Sequence, residues 1–126
     1  MSLFRYHSKH KAIVGFLVVI SVGITYTLSR EEKPQFDNGQ EKRNGPMVDG
    51  RNHGLWVWYY PNGKMKMKGR FVLGERNGVW VTFSPNGDTL TVSQYKNDKL
   101  NGYYKAFDAN GNVVVELQYE NDREVK

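Results

Sequence analysis

Hydrophobic and polar positions divide the chain into three regimes. From Ala12 to Leu28 no residue is charged and most are apolar. At a rise of ~1.5 Å per residue this run makes a helix roughly 25 Å long, the short end of what crosses a bilayer. From Arg30 to Asp49 the chain is polar, with two prolines and mixed charge, which is linker composition. From Gly54 onward, aromatic and β-branched residues come in short alternating runs punctuated by Asn-Gly pairs, the pattern of strands and tight turns. The pattern predicts a basic tail over 1–11, a transmembrane helix over 12–29, a linker over 30–50 and a β domain over 51–126.

The β regime repeats with a period of 24. Gly54, Gly78 and Gly102 coincide without gaps, as do Trp56, Trp80 and Tyr104, and then Tyr59, Phe83 and Phe107. Asn62-Gly63, Asn86-Gly87 and Asn110-Gly111 coincide too, and Phe71, Tyr95 and Tyr119 close each unit. The units are 54–77, 78–101 and 102–125. One period earlier Asn38-Gly39 follows Phe36, so part of the linker reads as a degenerate first repeat. Each unit predicts a β-hairpin. In the first, Leu55–Tyr60 and Lys64–Val72 flank Pro61-Asn62-Gly63, and Asn-Gly favours a type I′ turn with positive φ at both residues. All seven Asn-Gly pairs, with asparagine at 38, 44, 62, 77, 86, 101 and 110, are expected as turns. Those at 77 and 101 would link one hairpin to the next. The predicted fold is all-β, an elongated antiparallel meander of repeated hairpins preceded by one N-terminal transmembrane helix.

Alternation assigns faces. In the second strands, Met65, Met67 and Phe71 match Thr89, Thr91 and Tyr95, then Val113, Val115 and Tyr119. This set is expected on the inner face. In the first strands Trp56 and Tyr59 recur three apart, so either a bulge unites them or the sheet buries side chains on both sides.

The repeated residues resemble MORN repeats, in the bacterial variant form with a G-x-W-x-x-Y/F-x-x-N-G core. The resemblance covers 54–126 strongly and 36–53 weakly. It implies consecutive hairpins in one sheet, no catalysis, and roles in protein scaffolding or phospholipid contact. Many bacterial relatives carry an antitoxin label, which would require the repeats to stay in the cytoplasm. The third unit drifts: Tyr104 stands for tryptophan and Ala109 for proline.

Charge changes the picture at the N-terminus. The net charge is +5, and Arg5, Lys9 and Lys11 precede the apolar run without an acid among them. The positive-inside rule then places the N-terminus in the cytoplasm and the repeats outside, in the periplasm or beyond. Cleavage near Ser21-Val22-Gly23 or Thr27-Leu28-Ser29, giving a secreted domain, is the alternative. The excess charge is thus largely a topology signal, and no nucleic-acid partner is expected. Cysteine is absent, which removes disulfides, thiolate metal sites and a thiol nucleophile. His53 is the only histidine beyond the apolar run, aligns with Asn77 and Asn101, and reads as a turn residue. No catalytic, metal or cofactor site is expected.

Two surfaces remain as candidates. The aromatic ladder comprises Trp56, Tyr59, Trp80, Phe83, Tyr104 and Phe107, and the candidate partner contacts are its Trp56, Trp80 and Tyr104 together with Trp58 and Tyr60, which rank higher because the other units do not repeat them. The row Lys64, Lys66, Lys68 and Arg70, spaced by two, suits anionic lipid headgroups or wall polymers. The leading expectation is a membrane-anchored, non-catalytic scaffold module holding a protein partner. The alternatives are binding of envelope ligands through the basic row, or an antitoxin-like role.

Overall fold

The computed structural model describes residues 33–126. The basic tail and the transmembrane helix expected over 12–29 lie outside the described residues. The described residues are all-β. Ten strands follow one another: β1 (Arg43–Asn44), β2 (Met47–Val48), β3 (Arg51–Asn52), β4 (Gly54–Tyr59) and β5 (Met65–Val72), then β6 (Glu75–Phe83), β7 (Thr89–Lys96), β8 (Lys99–Phe107), β9 (Val113–Glu120) and β10 (Arg123–Val125). Eight of them form one antiparallel sheet in the order β1-β4-β5-β6-β7-β8-β9-β10, and β2 and β3 pair separately. Apart from the step from β1 to β4, chain order is sheet order, so every long-strand pairing is a local hairpin.

Two kinds of turn alternate along the meander. Pro61-Asn62-Gly63 joins β4 to β5. Tyr60 N–H donates to Lys64 O at 2.8 Å and Gly63 N–H to Tyr60 O at 2.9 Å. Gly63 has φ +83, whereas Asn62 is not in the left-handed region. This is a type I turn closed by a left-handed glycine, not the expected type I′. The same bonds recur at Ser84–Asp88, at Asp108–Asn112 and, one period before the first full unit, at Phe36–Gln40.

The type I′ turns occur elsewhere. Leu73-Gly74, Asn97-Asp98 and Asn121-Asp122 have positive φ at both residues and join each hairpin to the next strand. Asn77-Gly78 and Asn101-Gly102 are therefore not turns. They lie inside β6 and β8, and Asn44 lies in β1. Gly78, at φ +81, sits where the β5–β6 register slips, so that Gly69 alone faces Gly78, Val79 and Trp80. The same slip sets Gln94 against Asn101, Gly102 and Tyr103. The left-handed glycines that read as turns instead build bulges.

The sheet carries side chains on both faces. Trp56 and Trp58 alternate with Leu55, Val57 and Tyr59, so Trp56 and Tyr59 are on opposite sides. Phe83 and Phe107 follow Tyr59, and Phe107 shares a hollow with Thr89 and Val92. A bulge at the end of each hairpin pairs Tyr59 with Met65, Phe83 with Thr89 and Phe107 with Val113. Met65, Thr89 and Val113 thus leave the face holding Met67, Phe71, Thr91 and Tyr95, a correction to strict alternation. The only buried apolar residues among those described are Trp56 and Trp80, at 6% and 5% exposure. Among the described residues the core is therefore these two tryptophans on one face, with no second layer over them.

Candidate functional site

The tryptophans sit where the preceding repeat leaves room. Trp56 lies against Gly45 and donates its indole N–H to Pro46 O at 2.8 Å. One period on, Trp80 lies against Gly69 and donates to Arg70 O at 3.2 Å. A Cβ on either glycine would overlap the indole ring. Tyr104 stands opposite Ser93, the third small residue of this series and itself buried. Leu117 occupies the fourth position and faces Tyr104 from β9. These seats were missed in the sequence, although Gly45, Gly69 and Ser93 are spaced by the same 24 residues as the aromatics they receive.

Around the seats the rings form a continuous row. Trp58 lies between Trp56 and Trp80, with centroids 5.8 and 5.7 Å away. Phe71 meets Trp80 edge-on at 5.0 Å, and Tyr95 follows at 6.1 Å. Edge-to-face pairs of this kind contribute about 0.5–1.5 kcal/mol each beyond area burial. Trp58, Met67, Phe71, Trp80, Thr91 and Tyr104 line a hollow of about 430 Å³ on this face. Thr82 and Thr91, both in its lining, share a 2.6 Å hydroxyl hydrogen bond. Its rim carries Arg76, whose guanidinium lies 4.1 Å from the Tyr95 centroid and pairs with Asp98. The Arg76 hydrogen bond holds the Asp98 carboxyl below its ordinary value.

The remaining sequence-predicted residues are placed differently. Tyr60 is half-buried and donates its hydroxyl proton to Phe83 O at 2.8 Å, tying the first hairpin to the second. The basic row is not continuous. Lys64 precedes β5 and its ammonium donates to Asn86 O at 2.7 Å. The Met65–Lys66 bulge then breaks the two-residue spacing. Lys66 lies 5.7 Å from the Tyr60 centroid, and Lys68 5.7 Å from that of Phe83. Arg70 is exposed, opposite Leu55 and Asn77. His53 is not in a turn. It lies between β3 and β4, and its Nδ1 accepts the Leu73 N–H at 3.3 Å.

Uniform hairpins, nearest-neighbour packing and a one-face row of rings define a β-hairpin repeat protein whose repeats stabilise one another. The MORN repeat variant family model matches residues 52–72, 76–97 and 100–121, one stretch per hairpin and just over half of the chain together. The chain belongs to this family. No curated protein matches it.

Proposed function

We propose that the protein is a membrane-anchored, non-catalytic interaction module that holds a protein partner on its tryptophan face. The observation that carries this reading is the aromatic hollow, which no other element among the described residues covers. A row of rings suits an extended segment with apolar side chains, which can bury the rings, while the Thr82 and Thr91 hydroxyls keep the hydrogen bond they make to each other. The anchor is the apolar run Ala12–Leu28, and the basic tail before it orients the repeats away from the cytoplasm.

Faces separate the outcomes. A photo-crosslinking residue is placed at Thr91, on the tryptophan face, and separately at Val79, on the other. In intact cells Thr91 is expected to capture one protein and Val79 none. Equal capture from both faces, or none from Thr91, would sink the reading. A topology reporter fused after Lys126 tests the orientation, and a cytoplasmic signal would favour the antitoxin-like alternative.

A further inference from the structure

Four Asn-Gly turns, one before the sheet and three within it, share a backbone and differ in what holds the asparagine. The glycine N–H donates back across the turn in each, from Gly39, Gly63, Gly87 and Gly111. In the first two the side-chain amide is fixed at both ends. Asn38 Nδ2 donates to Pro61 O at 2.7 Å, and Asn62 Nδ2 to Pro85 O at 3.0 Å. Their Oδ1 atoms accept the N–H groups of Gln40 and Lys64 at 3.1 and 3.0 Å. In the next two turns the residue that opens the turn takes over as acceptor. Ser84 Oγ accepts from the backbone of Asn86 and Asp88, and Asp108 Oδ1 from that of Asn110 and Asn112. The Asn86 and Asn110 side chains are exposed and form no hydrogen bond among the described residues. Asn86 is still held through its carbonyl by Lys64 Nζ. Asn110, in the last of the four turns, lacks that bond too.

We propose that Asn110 is a site of spontaneous deamidation, with Asn86 slower and Asn38 and Asn62 protected. The following glycine has no Cβ to block approach of its backbone nitrogen to the asparagine Cγ. In the reaction a bond forms between Gly111 N and Asn110 Cγ, and the Cγ–Nδ2 bond breaks. The Gly111 amide proton passes to solvent base, solvent returns a proton to the departing nitrogen, and ammonia leaves, giving a cyclic imide. Water then adds to one of its two carbonyls and opens the ring to aspartate or isoaspartate. Water is the only co-reactant and nothing is oxidised or reduced. At Asn38 and Asn62 two hydrogen bonds must break before Cγ can swing onto the glycine nitrogen, and each adds to the barrier. The product puts a second carboxylate beside Asp108. In the isoaspartate form it also lengthens the backbone of the β8–β9 turn by one methylene.

The test is peptide mapping by mass spectrometry of the full chain, aged at neutral pH either folded or in denaturant. In the folded protein Asn110 is expected to convert several-fold faster than Asn38 and Asn62, with Asn86 between them. In denaturant the four rates should converge, because all share the Asn-Gly pair. Equal rates in the folded protein, or conversion led by Asn62, would overturn the proposal. Unequal rates that persist unchanged in denaturant would overturn it as well, since flanking sequence and not the hydrogen bonds would then set the order.

Discussion

At the scale of single residues, the fold depends on side chains that are small or left-handed where they must be. Gly69 carries the Trp80 indole, and a Cβ there has no free volume. Gly69→Val should cost about 1–3 kcal/mol, the range for overpacking. Denaturant titration would read the loss, and a red-shifted tryptophan emission would report that Trp80 has left its seat. Leu73 is the converse case. It holds φ +46 at the first position of a type I′ turn, where the matching turns have Asp49, Asn97 and Asn121. A β-carbon in this region costs roughly 1–2 kcal/mol, and asparagine tolerates it best among non-glycine residues. Leu73 is also 40% exposed, so little burial would be lost. Leu73→Asn should raise stability by about 1 kcal/mol in the same titration.

At the scale of strands and turns, the period, the hairpins and the antiparallel meander were legible because aromatic positions and Asn-Gly pairs recur in register. The division of labour among the Asn-Gly pairs was not. A left-handed glycine fits a turn or a bulge equally well, and only the pairing of β5 with β6 shows that Gly78 builds the latter. The linking turns escaped notice because none of them is an Asn-Gly pair: Leu73-Gly74, Asn97-Asp98 and Asn121-Asp122 have no dipeptide common to all three, while Asn-Gly recurred nearby at 77 and 101. The aromatic candidates were legible as types, but their faces depend on the bulges that move Met65, Thr89 and Val113, which strict alternation cannot show. The second linking turn also has a charge to test. Asp98 pairs with Arg76 across neighbouring turns, and that hydrogen bond lowers its pKa from the ordinary 3.8. The stabilisation is complete above that ordinary value and is lost as pH falls through the lower folded value. The Asp98 side chain is 53% exposed, so solvent screening limits the pair to at most about 1 kcal/mol. Asp98→Asn should be slightly less stable than the parent at neutral pH, with the gap closing in acid. A gap that widens in acid would contradict the assignment.

At the scale of the whole described unit, packing has a direction. Trp56 rests on Gly45 and Trp80 on Gly69, and each indole bonds a carbonyl of the repeat before it. Truncation should therefore be asymmetric. A chain ending at Lys96 keeps both seats, and its two seated indoles should stay shielded from a soluble quencher. A chain lacking 33–48 loses Gly45 and Pro46, and Trp56 should become accessible while Trp80 does not. Equal quenching of the two truncated chains would show that the seats do not govern tryptophan burial.

The same direction matches the way the polypeptide is made. A chain that emerges amino end first presents Gly45 before Trp56 and Gly69 before Trp80. Each large ring arrives at a platform already laid down and needs no residue still inside the ribosome to dock on it. The sheet can thus grow by addition at one end, each ring docking first on the repeat before it and then being closed over by the strand that follows.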